Sequence, residues 1–189
     1  MKQILVIDNY DSFTYNLVHL IEEIVGHEIT VWRNDQIDYT AIDNYDYVVL
    51  SPGPGIPEEA GDLKKVIRDH LEDKKVLGVC LGHQAIGEVY GAELQNLDRV
   101  YHGVSTEMAT TAACTLLEGL ERSFEAGRYH SWVIKKDSIT DDFIVTSRDD
   151  KGEIMSMRHR EKEIYSVQFH PESVLTPEGK KILSNFLSL

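Results

Sequence analysis

The segment Val76-Leu77-Gly78-Val79 is a short apolar run that passes through Cys80 directly into the helix-like stretch Leu81-Gly82-His83-Gln84. A strand that becomes a helix within two residues needs a sharp bend, and glycines on either side of the bend permit it. The pattern reads as a nucleophile elbow, with the Cys80 sulfur pushed out above a sheet. A thiol at a helix N-terminus lies beside unpaired N–H groups and the positive end of the helix dipole, which favour its thiolate form. A small inert cysteine at a tight turn would carry the same glycines, so the elbow alone does not decide between the two.

The surrounding pattern sets the fold class. Gln3 to Ile7 reads as a buried strand, and Leu17, Leu20, Ile21 and Ile24 mark one face of a helix opened by Asp11 or Ser12 and ended by Gly26. Glu28 to Trp32 and Tyr47 to Leu50 read as strands, Leu63 to Leu71 as a helix, and Lys75 to Val79 as the strand entering the elbow. Such alternation predicts an α/β fold with a mostly parallel central sheet flanked by helices. From about Arg99 to Arg160 short strand-like runs take over, predicting a smaller, partly antiparallel sheet in the second half. Thr176-Pro177-Glu178 reads as the N-cap and first turn of a last helix. Residues 1–189 are expected to form one domain.

Composition excludes several classes. With 19 basic and 32 acidic residues the net charge is −13, a field that repels phosphate backbones and argues against nucleic-acid binding. The chain shows no apolar run long enough to span a membrane and no signal-peptide pattern, and its 2 cysteines are widely separated. A soluble protein of the reducing cytoplasm is expected, with Cys114 structural. No cluster has metal-ligand spacing.

A cysteine nucleophile needs a base, and the base needs an orienting group. Of the 8 histidines, His170 follows the strand-like run Ile164 to Phe169 and has a carboxylate two residues on, in His170-Pro171-Glu172. Proline restricts the backbone between them, which suits a base and its orienting acid; a surface His-Pro turn would read alike. His83 is expected to point along its helix rather than at the sulfur, and His159, between two arginines, to lie on a charged surface strand. The loop Ser51-Pro52-Gly53-Pro54-Gly55-Ile56-Pro57 lies beyond a strand end and reads either as an oxyanion cradle or as a rigid turn.

Together, Gly78-Val79-Cys80-Leu81-Gly82, His170-Pro171-Glu172 and the Pro52-Gly53-Pro54-Gly55 loop resemble the class I (triad) glutamine amidotransferases, a family with a flavodoxin-like sheet. The likeness spans essentially the whole chain. Ile7 to Leu17, Arg128-Tyr129-His130-Ser131 and Gln168 to Ser173 resemble, within it, the glutaminase subunits of anthranilate synthase and of aminodeoxychorismate (para-aminobenzoate) synthase. The resemblance implies that Cys80 attacks the amide of L-glutamine, that His170 shuttles the proton, and that Glu172 orients His170. It implies an oxyanion site at the main chain of Leu81 and of Gly53 or Gly55, since Pro54 has no N–H. Substrate contacts are implied at Gln84 and at the main chain of Ser131-Trp132, where Trp132 replaces a common leucine.

The resemblance further implies a large chorismate-binding synthase subunit that receives the ammonia and binds the magnesium, leaving no cofactor in this chain. Asn9, Tyr10, Asp11, Ser12 and Tyr15 resemble the loop facing that partner, although the residues alone suit a helix-capping turn. Anthranilate synthesis for tryptophan is favoured over aminodeoxychorismate synthesis for folate, or a subunit serving both. A noncatalytic binding module of the same fold is disfavoured by the intact Cys80, His170 and Glu172. A thiol hydrolase of another amide is disfavoured by the flanking motifs.

Overall fold

Ile4 and Val6 face one side of the first strand and Leu5 and Ile7 the other, and all four are buried, so this strand is covered on both faces. The computed structural model describes residues 2–189. Strand β1 (Ile4–Asp8) is followed by α1 (Thr14–Val25), β2 (Thr30–Arg33), β3 (Tyr47–Leu50), α2 (Leu63–His70), β4 (Lys75–Val79) and α3 (Leu81–Val89). Then come β5 (Leu94–Asn96), β6 (Val104–Thr110), β7 (Ser123–Arg128), β8 (Trp132–Ile134), β9 (Phe143–Arg148), β10 (Ile154–His159), β11 (Ile164–Val167) and α4 (Gly179–Leu187).

Among the described residues, a nine-stranded sheet runs in the order β2-β1-β3-β4-β11-β10-β9-β6-β7. Its first half, β2 to β11 in that order, is parallel. The second half is antiparallel. The expected α/β architecture is thus present, and most of the antiparallel strands extend the main sheet through the β11–β10 pair. The smaller sheet is the antiparallel ribbon β5–β8.

Helices α1 and α4 bury Leu17, Val18, Ile21, Ile182, Leu183 and Phe186 on one face of the parallel half. Helices α2 and α3 bury Leu63, Val66, Ile67, Ala85 and Ile86 on the other. Each large apolar side chain so buried contributes on the order of 1.5–3 kcal/mol, which fixes the strand faces. No helix is long and apolar enough to cross a membrane among the described residues.

Helix starts differ from the sequence reading. The N-cap of α1 is Phe13, with no side-chain cap; Asp11 instead accepts the Phe13 N–H at 2.7 Å just before the helix. The N-cap of α4 is Glu178 rather than Thr176, whose hydroxyl is committed elsewhere. Gly26 ends α1 at φ 75°, as expected.

The glycines framing Cys80 serve a different purpose from the one read in the sequence. Positive φ falls on Cys80 itself, while Gly78 and Gly82 are needed for close approach. A Cβ on Gly78 would lie 2.6 Å from Ile86 Cδ1 and 2.7 Å from the Gly82 carbonyl, and one on Gly82 would lie 2.6 Å from the Leu50 carbonyl oxygen. Helix α3 is thereby pressed onto β3 and β4. Gly82→Ala should lower stability in urea unfolding by about 3 kcal/mol through overpacking against backbone. Gly26→Ala, which meets open space and suffers only its φ of +75°, should cost about 1 kcal/mol. Equal costs would contradict the packing account.

Candidate active site

Cys80 follows the last residue of β4 and is the N-cap of α3, at φ 52° and ψ −98°. For a residue with a Cβ, such backbone strain costs on the order of 1–3 kcal/mol and persists only where the surroundings enforce it. They do so here. The Cys80 N–H donates to the Val167 carbonyl at 2.8 Å, and its own carbonyl accepts from Gln84 N at 3.1 Å. The side chain is buried.

His170 lies three residues beyond β11, which pairs in parallel with β4 so that Val167 sits opposite Val79. Cys80 and His170 therefore leave adjacent strands at the same sheet edge. Nδ1 of His170 meets Glu172 Oε1 at 2.6 Å, with both side chains buried. A carboxylate only accepts, so Nδ1 carries a proton and Nε2 is the nitrogen free for chemistry. Nε2 has no hydrogen-bond partner in this resting arrangement. Burial pushes the imidazole pKa down, but the nearby Cys80 sulfur and then Glu172 outweigh it and hold the ring well above 6.5. An imidazolium beside the sulfur is the state that can hand a proton to a leaving group.

The His170 backbone is clamped as well. Its N–H donates to the Gly127 carbonyl at 3.0 Å, Gly127 N donates to Thr176 Oγ1 at 2.9 Å, and that hydroxyl donates to the His170 carbonyl at 2.6 Å. Tyr129 and Phe13 wall the ring, with centroids 4.8 Å and 5.7 Å away.

The Pro-Gly loop lies on the first residue of α3. A Cβ on Gly53 would fall 2.5 Å from Leu81 Cδ2 and 2.6 Å from Asn9 Cβ, so the structure brings Gly53 and Leu81 together. Gly55 is exposed, at φ 69° beside Glu59. Asn9 fastens this loop: its N–H donates to Ser51 Oγ at 2.9 Å, its side-chain amide to the Ser51 carbonyl at 2.8 Å, and Asn34 donates to its oxygen at 3.1 Å. The segment expected to face a partner therefore divides. Asn9 is turned inward and buried, because its amide is used by the loop, whereas Tyr10, Ser12 and Tyr15 are exposed and Asp11 is half-buried.

Gln84 is buried on α3, and its Nε2 donates to the Trp132 carbonyl at 2.8 Å and to Gln168 Oε1 at 3.1 Å. Ser131 lies between β7 and β8 and Trp132 opens β8, both half-buried, with the Ser131 carbonyl accepting from Leu97 N at 2.7 Å. The Arg128–Asp149 ion pair supports this segment at 2.8 Å, with both side chains fully buried. Arg128 also lies 3.6 Å from the Tyr101 ring centroid and donates to His130 Nε2 at 3.1 Å. Burial and then the Arg128 charge lower the His130 pKa to about 3, leaving it neutral.

His83 bonds Ser166 Oγ at 2.8 Å, and burial lowers it to about 3, so it takes no part beside the sulfur. His159 corrects the sequence reading: it is buried against Tyr90 and Phe143, and its Nδ1 accepts from the N–H groups of Glu161 and Lys162. Sequence reasoning missed the roles of Thr176, Asp149 and Gln168. Thr176 carried a signal but for another purpose, that of a helix cap.

The family model for class-I glutamine amidotransferases matches residues 5–189. The chain belongs to this family. It is 42% identical to aminodeoxychorismate/anthranilate synthase component 2 of Bacillus subtilis, over 97% of this chain and 95% of that protein. It is 43% identical to anthranilate synthase component 2 of Mycobacterium tuberculosis, over 98% of this chain and 82% of that protein. A glutamine amidotransferase of Thermotoga maritima shares the fold at a TM-score of 0.80, with 13% identity over 99% of this chain and 96% of that one.

In this amidotransferase the Cys80 sulfur and the Glu172 carboxylate both raise His170. In an NMR titration, Cys80→Ala and Glu172→Gln should each lower the His170 pKa. Because the folded-state value is raised, the interaction stabilises the fold fully below 6.5 and fades as pH climbs through the raised value. A His170 titration unchanged by Cys80→Ala would contradict this.

Proposed function

We propose that this chain is the glutaminase subunit of a chorismate-using synthase, with Cys80, His170 and Glu172 as its catalytic groups. The observation that carries the reading is the strained, buried Cys80 at the mouth of the parallel sheet beside a His170–Glu172 pair. The sulfur attacks the side-chain amide carbon of L-glutamine. Negative charge on the resulting oxygen is met by the main-chain N–H groups of Leu81 and Gly53, at the positive end of α3. His170 gives a proton to the departing ammonia, and Glu172 holds the ring while it does so. Water, losing a proton to His170, then hydrolyses the glutamyl thioester and releases glutamate and the thiol. Gln84 and the Ser131-Trp132 main chain hold the substrate.

Ammonia free in water at neutral pH is mostly ammonium and no nucleophile, which is why a synthase subunit must receive it through a shielded passage. In this reading the partner is a large chorismate-binding subunit that also holds the magnesium, and this chain needs no cofactor of its own. Tyr10, Asp11, Ser12 and Tyr15 supply part of the docking face. The complex works in the cytoplasm, and the −13 net charge keeps it off nucleic acid.

Anthranilate is the favoured product. The name of the Bacillus subtilis relative couples anthranilate with aminodeoxychorismate, so a subunit serving both is the second reading. Mixing the chain with each candidate synthase subunit, glutamine and chorismate should yield anthranilate. Aminodeoxychorismate alone would shift the reading to the folate branch. Cys80→Ala should abolish glutamine-dependent synthesis by the complex and spare synthesis fed with ammonium salts; loss of both would overturn the division of labour.

A further inference from the structure

We propose that Gln168 is a fixed hydrogen-bond donor to the Cys80 nucleophile, and that Gln84 sets its orientation. Gln168 Nε2 lies 3.6 Å from Cys80 Sγ, and Gln168 is completely buried. A side-chain amide can be turned about to present oxygen instead of nitrogen, so the direction of this contact must be argued from its neighbours. They leave one solution.

Arg128 is a donor only, so His130 Nε2 must accept from it at 3.1 Å, and the His130 proton must sit on Nδ1. That proton points to the Trp132 carbonyl at 3.0 Å. A carbonyl only accepts, so the Gln84 group 2.8 Å from it must be the NH2. The second hydrogen of that NH2 needs an acceptor, and Gln168 Oε1 is 3.1 Å away. Turned about, Gln168 would set its own NH2 against the NH2 of Gln84, two donors facing each other at 3.1 Å between side chains that are both buried. Gln168 is thus oriented from the Trp132 carbonyl through Gln84, and the buried Asp149–Arg128 pair and His130 hold that carbonyl in place.

The consequence for the reaction rests on the glutaminase reading above. A donor aimed at sulfur favours it carrying negative charge, before it attacks glutamine and again when the thioester is cleaved and the thiolate leaves.

The test uses the Cys114→Ser protein, in which Cys80 is the single thiol, and measures its alkylation by iodoacetamide at neutral pH, a reaction that needs no glutamine. Gln168→Met, similar in length and without a donor, should slow alkylation about tenfold, and Gln168→Glu should slow it further. Gln84→Leu should act in the same direction, and adding it to Gln168→Met should cost little more, because both act through one chain. In the synthase complex, kcat for glutamine hydrolysis should fall in Gln168→Met with KM within about twofold. Alkylation that is unchanged or faster in a Gln168→Met protein of wild-type melting temperature would overturn the proposal. Should that variant not fold, the side-chain amide protons of Gln168 in the otherwise intact protein should shift in NMR on Cys80→Ala, and unmoved resonances would overturn it. Alkylation that depends on Gln168 in a protein unable to hydrolyse glutamine would leave this donor standing and sink the glutaminase reading instead.

Discussion

One backbone conformation organises this molecule, the φ of 52° and ψ of −98° at Cys80. Strain of on the order of 1–3 kcal/mol must be offset by what surrounds it, and the offset is distributed over three elements. Strand β11 takes the Cys80 N–H, helix α3 takes its carbonyl, and Gly78 and Gly82 allow that helix to lie against β3 and β4 at distances no side chain would permit. The elbow is thus a product of the parallel half of the sheet as a whole. The same parallel order sets β4 beside β11, and so a cysteine in the first half of the chain beside a histidine near its other end.

The antiparallel half supplies orientation. A buried ion pair fixes Arg128, Arg128 fixes the tautomer of His130, and His130 Nδ1–H anchors the Trp132 carbonyl, which as a pure acceptor orients Gln84 on α3 and through it Gln168 beyond β11. Removing one partner from such a pair leaves a buried charge uncompensated, at a cost of about 3–5 kcal/mol, so the chain has little freedom to rearrange. His83 and His130, both held neutral by burial, add no positive charge that would compete with His170 for the sulfur. Of these three imidazoles only His170 is raised, and environment alone makes the difference.

Much of this was legible in the residues. The apolar runs that became β1, β3 and β4 and the stripe of α1 were read close to their observed bounds, because strands buried on both faces are continuously apolar. The elbow and the His170-Pro171-Glu172 turn were visible as local motifs. What escaped depended on distant neighbours. The glycines around Cys80 gave the correct turn for the wrong reason, since their need for space comes from Ile86 and Leu50 rather than from their own φ. Thr176 looked like a cap because hydroxyls before a helix usually are; here its oxygen is drawn to the His170 and Gly127 backbone. His159 sits between arginines yet faces Tyr90 and Phe143, and no local pattern marks Asp149 as the mate of Arg128. Asn9 belonged to a segment of outward-looking residues and proved to be the clasp of the Pro-Gly loop.

The claim on which the rest depends is that the Cys80 sulfur becomes covalently bonded to substrate. Acid quenching of the chain during turnover with glutamine, followed by proteolysis and mass spectrometry, tests it directly. The account predicts a glutamyl thioester on the peptide containing Cys80 and none on that containing Cys114. Turnover with no adduct under conditions that preserve thioesters, or an adduct on any other residue, would contradict it.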